Sequence, residues 1–249
     1  MKSPSKTAFV AVINDINTDQ RLHRTCLSIM KAGYKIKLRG RIMKGSFPLS
    51  ERPYNVKRYS FLFKTGPLMY ACMNIRLFLS ILFRKYDLIF SNDLDTLPAC
   101  YYGSKIRGTR LIFDAHEYFL GLPELEKRNF AKKTWQFFEK KILPKLQNTI
   151  TVNDSIAELY RKDYGINMIV IRNVPLSKDY EMAEKMLQRY NLPNNKLLVI
   201  YQGALNKDRG LEELIESMLH VPDNVLLIVA GGGDIRNQLE EKIEELNLV

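Results

Sequence analysis

Cysteine is scarce in this chain. Cys26, Cys72 and Cys100 are the three cysteines among 249 residues. They are too few and too scattered for a disulfide scaffold or a zinc cluster, and a reducing cytosol is the simplest setting. Long apolar runs are missing too: nothing approaches the ~20 uninterrupted apolar residues of a membrane span. The first apolar run, Ala8 to Ile13, ends in Asn14-Asp15 without a small-residue cleavage site. It reads as a buried first strand, not a signal peptide. No glycine fingerprint follows that strand, and Leu38, Arg39 and Gly40 stand where an acidic residue would end the second. Both absences argue against a nicotinamide-dependent enzyme. Neither zinc-finger spacing nor an RNP-like string occurs, and the aromatics sit within apolar runs, so nucleic acid is not the expected partner. What remains, 46% hydrophobic and 26% charged residues, is a globular composition.

Acidic residues are in short supply, and unevenly so. The net charge is +11. From Lys196 to Val249 there are 5 basic and 10 acidic residues, a net of −5, while the rest carries 33 basic and 17 acidic residues, a net of +16. A basic domain of this size calls for an anionic partner.

Strand and helix patterns alternate along the chain. Thr7–Ile13, Tyr34–Ile42, Tyr54–Phe61, Asp87–Ser91, Thr109–Asp114, Thr149–Val152 and Met168–Arg172 read as strands. Helical spacing falls at Asp19–Lys31, Pro67–Lys85, Asp95–Ile106, Glu126–Leu146 and Ser155–Tyr164. Asn17 with Gln20 forms a plausible capping box for the first helix, and Gly33 a stop. This alternation predicts a doubly wound parallel α/β sheet. The texture changes after Pro175. A polar helix, Ser177–Tyr190, precedes strand Leu197–Gln202, helix Leu211–Leu219, strand Val225–Ala230 and helix Ile235–Leu246. The expected domains are 1–176, a helical linker at 177–195, and the start of a second α/β domain at 196–249. Two strands cannot form an independent sheet covered on both faces, so the chain is expected to stop inside a domain.

In parallel α/β sheets, ligands bind at the carboxyl ends of strands. Polar residues cluster at those positions: Asn14, Asp15 and Asn17; Asn92, Asp93 and Asp95; Asp114, His116 and Glu117; Arg172 and Asn173; Gln202, Gly203, Lys207 and Arg209. Asn14, Asn17 and Asp95 have an alternative reading as helix caps. His116 is the side chain most easily tuned near neutrality, and the alternative is a packed loop histidine. Gly231-Gly232-Gly233 permits close backbone approach before a helix whose N-terminus favours phosphate, or is a tight turn only. Lys207 and Arg209 are suited to neutralising a diphosphate. The Pro67–Lys85 helix is too apolar for an ordinary surface element. It is either a core helix or one lying in a bilayer interface with Arg76, Arg84 and Lys85 at the headgroups. The helix around Trp135 has a similar basic amphipathic character, and an anionic membrane surface is a candidate partner.

Several of these segments together resemble a known family. Asp19-Gln20-Arg21, Asn92-Asp93-Leu94-Asp95-Thr96-Leu97, Asp114-Ala115-His116-Glu117, Thr151–Ala157 and Arg172-Asn173-Val174-Pro175 resemble the acceptor-side domain of bacterial glycosyltransferase family 4. Tyr201-Gln202-Gly203 followed by Arg209-Gly210-Leu211-Glu212 resembles the opening of its donor-binding domain. The resemblance implies a GT-B architecture of two Rossmann-like domains, and a retaining transfer from a nucleotide-sugar with no cofactor and no obligatory metal. It implies that His116 contacts the donor sugar, that Arg209 with Lys207 binds the diphosphate beside Gly203 and Gly232, and that Asn173 sits at the domain junction. Asn14, Asp15, Asn92, Asp93 and Glu117 would line the cleft. The acceptor would be a glycan or lipid-linked glycan of cell-surface polysaccharide synthesis, handled in the cytoplasm or at the inner face of the membrane. Asn14 to Asn17 stand where the family often has glycines, and Ala204 where it is often basic. Its paired glutamates fall beyond Val249, so the sequence is expected to be a fragment with little activity. The alternative is a short, inactive module that docks on membrane or glycan.

Overall fold

A computed structural model describes residues 6–17, 19–43, 45–122, 125, 128–174 and 189–248. The chain forms two compact units, Met1–Pro175 and Leu176–Val249. The Ser177–Tyr190 helix expected in the linker lies almost wholly outside the described residues.

The first unit holds a seven-stranded sheet: β1 (Thr7–Ala11), β2 (Lys35–Arg41), β3 (Asn55–Tyr59), β4 (Leu88–Asn92), β5 (Arg110–Ala115), β6 (Thr149–Thr151) and β7 (Ile169–Val170). Its order is β3-β2-β1-β4-β5-β6-β7, and every pairing is parallel. The helices that cover it are α1 (Gln20–Lys31), α2 (Gly66–Leu82), α3 (Leu97–Arg107), α4 (Asn129–Ile142) and α5 (Asp154–Tyr164). Strand β1 shows why both faces must be covered. Ala8, Val10 and Val12 pack with Leu22 and Cys26 of α1, whereas Phe9, Ala11 and Ile13 pack with Met69, Met73 and Leu77 of α2. Strand period two divides one apolar run between two cores. A third core gathers Trp135 and Ile142 of α4, Tyr160 of α5 and Leu97 of α3. Trp135 is therefore core, while Phe130 and Phe137 of the same helix stay exposed.

Caps set the helix ends, and here two expectations are corrected. Asp19, not Asn17, caps α1, its carboxylate accepting from the Leu22 amide at 2.8 Å. Asn17 instead donates to the Pro48 carbonyl and accepts from the Ser50 amide, pinning a distant loop. Asp95 is no cap either: α3 begins after Thr96, with Pro98 in its first turn, and Asp95 is buried.

The second unit contains β8 (Leu197–Gln202) paired in parallel with β9 (Val225–Ala230). Helices α6 (Leu211–Ser217) and α7 (Arg236–Glu245) contribute Leu211, Ile215 and Leu239 to a small core with Tyr201 and Val229.

Candidate active site

The sheet order reverses direction between β1 and β4, the place where open α/β sheets form a ligand crevice. The polar cluster of the first unit stands at the carboxyl ends of β4 and β5 beside that point. Asn92 ends β4, and its amide donates to the Ala11 carbonyl of β1 at 2.7 Å, tying the two strands together. The next residue, Asp93, adopts a left-handed backbone (φ 58°). Its amide donates to the Asp114 carbonyl at 2.9 Å, and its Oδ1 accepts from the His116 amide at 2.9 Å.

His116 is held by carboxylates on both sides. Nε2 lies 3.2 Å from Asp114 Oδ2 and Nδ1 lies 3.4 Å from Asp93 Oδ2. A neutral imidazole donates from one nitrogen only, so two flanking carboxylates favour the imidazolium. Burial opposes the charge, but the Asp114 hydrogen bond and the Asp93 and Asp114 charges outweigh it, and the His116 pKa is raised. Burial also pushes the Asp93 carboxyl upward, with His116 opposing it. Asp95 is raised further, by burial and then by the Asp93 charge. The Oδ1 atoms of Asn92 and Asp95 are buried without hydrogen-bond partners.

Two residues outside the predicted set complete the cluster. Arg21, in the first turn of α1, grips the fully buried Asp114 with Nη2 at 2.6 Å from Oδ1 and Nε at 3.3 Å from Oδ2. Its Nη1 donates to the Ile171 carbonyl at 2.9 Å. Breaking such a buried pair costs about 3–5 kcal/mol, so Arg21 also anchors the segment leaving β7. One turn on, Arg24 donates to Asn173 Oδ1. No spacing rule points to these arginines, because their partners lie 93 and 149 residues away. The remaining expected residues of the first unit are Asp15, Asn14 and Glu117, and the Glu117 charge reaches Asp95. Asp15 accepts from Asn17 N and Ser46 Oγ and so shapes a loop. Asn14 and Glu117 are exposed.

In the second unit, β8 runs into Gly203, whose amide donates to the Ala230 carbonyl at 3.0 Å. The loop from Ala204 to Gly210 exposes Lys207 and Arg209, and neither makes an ion pair among the described residues. A Cβ on Gly231 would stand 1.8 Å from the Gly203 carbonyl oxygen, and one on Gly233 would stand 2.3 Å from that of Leu205. These flanking glycines are the ones the packing demands, while a Cβ on Gly232 would meet nothing within 4 Å. Among the described residues no three His, Cys, Asp or Glu side chains gather to hold a metal ion.

A seven-stranded parallel sheet with charged groups at its switch point, followed by a second βαβα unit, defines an α/β protein built from Rossmann-like units. Residues 21–175 match the model for Glycosyltransferase Family 4, and residues 182–249 match that for Glycosyl transferases group 1. The chain belongs to glycosyltransferase family 4. Its fold resembles that of sucrose-phosphate synthase from Thermosynechococcus elongatus, with a TM-score of 0.72 at 16% identity over 98% of this chain and 68% of that one. HepE of Anabaena, solved with UDP and glucose, gives 0.66 at 15% identity over 98% and 67%. A glycosyltransferase from Rickettsia africae gives 0.62 at 13% identity over 98% and 66%. The chain thus spans about two thirds of the length of these GT-B proteins. No curated protein matches it in sequence.

Proposed function

We propose that the chain serves a retaining glycosyltransferase that moves a sugar from a nucleoside diphosphate donor to a glycan or lipid-linked acceptor in cell-surface polysaccharide synthesis. One observation carries the reading: His116, clamped by Asp93 and Asp114 beside the switch point of a family 4 sheet. The 3.4 Å contact to Asp93 is the longer of the two, and it is the one a sugar hydroxyl replaces. Asn92 and Asp93 shape the crevice around it, with Asn14 and Glu117 at its rim. Asn173, held by Arg24, marks the passage toward the second unit. Negative charge develops on the departing diphosphate. Arg209 and Lys207, exposed and free of ion pairs among the described residues, neutralise it beside the amides of the Gly203 and Gly232 loops, without a metal or a cofactor.

Calorimetric titration with UDP- and GDP-sugars tests the donor half. A nucleotide-sugar is expected to bind, and Arg209→Ala to weaken it roughly tenfold or more, the scale of one charged hydrogen bond. His116→Ala is expected to lower sugar transfer by about 10²–10³ while nucleotide affinity changes little. If no nucleotide-sugar binds, or Arg209→Ala binds as the parent does, the reading fails.

A further inference from the structure

On the β2–β3 side of the first unit lies a second polar feature, a cleft of about 200 Å³ between α2 and that edge of the sheet. Four cations line it: Arg39, Lys57, Arg76 and Arg84. None of its lining residues is acidic. Sheet register explains two of them, since Arg39 of β2 stands opposite Lys57 of the edge strand β3. Helix α2 supplies Arg76, and the turn just past its end supplies Arg84. Ser80 lies between them in the chain and contacts the hydroxyl of Tyr59 at 3.1 Å. Arg39 is only 6% exposed, and its Nη1 donates to the Leu38 carbonyl and Asn55 Oδ1, which fixes the guanidinium without neutralising it. Tyr86, also 6% exposed, lines the same cleft, and its buried hydroxyl has no hydrogen-bond partner. Buried polar atoms are almost always satisfied, so an orphan hydroxyl among four cations marks the seat of an anion.

The outer surface of α2 says what carries that anion. Met69, Met73, Leu77 and Ile81 face the core. On the side of α2 turned away from the core, Leu68, Ile75 and Leu79, with Phe83 just past the helix end, stay exposed, Phe83 at 77%. Leu62, just before the helix, is 89% exposed. From Arg52 to Tyr86 there are seven basic residues and no acidic one. An apolar stripe flanked only by cations complements an anionic bilayer, since it offers acyl chains a dry surface and headgroups a positive one. Among the described residues no helix is long and apolar enough to cross a membrane, so such contact would be made from the surface.

We propose that this cleft binds the phosphate of an anionic membrane lipid, while the outer stripe of α2 rests among the acyl chains. The assignment stands apart from the transferase reading, because its test uses no nucleotide-sugar. The full chain is sedimented with phosphatidylcholine vesicles containing about 30% phosphatidylglycerol, and with pure phosphatidylcholine vesicles. Binding is expected to the first and not the second. Arg76→Gln/Arg84→Gln and Ile75→Ser/Leu79→Ser are each expected to weaken it roughly tenfold or more. Both pairs alter exposed or half-buried side chains, and an unchanged thermal melt shows that the fold is intact. Millimolar glycerol 3-phosphate is expected to compete with the vesicles. Vesicle binding indifferent to Arg76→Gln/Arg84→Gln overturns the proposal. So does glycerol phosphate binding without vesicle binding, which would make the ligand a free phosphate. A change of oligomeric state in Ile75→Ser/Leu79→Ser, without vesicle binding, would assign the stripe to a second copy of the chain and overturns it equally.

Discussion

Glu139 is a fully buried carboxyl on α4 whose Oε2 accepts from the Tyr164 hydroxyl and whose Oε1 has no partner. Burial pushes its pKa up to about 7, against the pull of the tyrosine hydrogen bonds. Because the folded value lies above the ordinary 4.5, the folded protein holds this proton longer than the unfolded chain does. Its contribution to stability is therefore full below about pH 4.5 and is lost as pH rises through about 7. Glu139→Gln cannot ionise. It is expected to match the parent near pH 4.5 and to exceed it by ~2 kcal/mol near pH 8, less than the roughly 3.4 kcal/mol that the whole rise from 4.5 to about 7 would give at ~1.4 kcal/mol per tenfold step. Thermal melts across that range check this, and a gap that does not grow with pH would refute it. His116 differs, because its neighbours supply opposite charge and raise its pKa against the pull of burial. The sequence shows His116 following a strand and Asp93 following another, since both sit at strand ends. That the two meet, and that Arg21 locks Asp114 from behind, depends on which strands are neighbours, and side-chain type does not encode this.

At the scale of elements, Gly103 decides how closely α3 approaches α2. A Cβ there would lie 2.7 Å from Ile81 Cγ2, well inside van der Waals contact. Ile81 is fully buried and β-branched, so it has little room to yield. Gly103→Val is expected to destabilise the protein by about 2 kcal/mol through overpacking, despite the better helix propensity of valine. Adding Ile81→Ala should cost less in that background than alone, giving a coupling of about 1 kcal/mol in a double-mutant cycle by urea denaturation. Additive effects would mean that the helices do not touch there. Most elements were legible in the sequence, because apolar period distinguishes strand from helix; β8 and β9 match their expected spans. The caps were not. Asn17 and Asp95 are chemically good N-cap residues, but tertiary partners claim Asn17 and burial claims Asp95, so propensity loses to context. The double duty of α2 was half legible. Its excess apolarity was visible, but the structure was needed to divide it into a core stripe and an exposed stripe.

The whole molecule divides in charge and in core along the same line. The three larger apolar clusters draw every residue from the first unit, and the fourth draws every residue from the second. The +16 balance belongs to residues before Lys196 and the −5 balance to those after it. A basic unit with a cationic cleft suits anionic surfaces, while the acidic unit carries Lys207 and Arg209 exposed in one loop. Separate cores imply separate unfolding, because cooperativity follows shared buried contacts. Leu239, 3% exposed, fills the small core, and Leu77, fully buried, fills a large one. Truncating either to alanine should cost about 2–5 kcal/mol locally. In hydrogen exchange on the intact chain, Leu239→Ala is expected to speed exchange in β8 and β9 and leave β1 and β4 unchanged. Leu77→Ala is expected to do the reverse. If either substitution accelerates exchange equally in both sheets, the two units fold as one cooperative body and the division drawn from their cores is wrong.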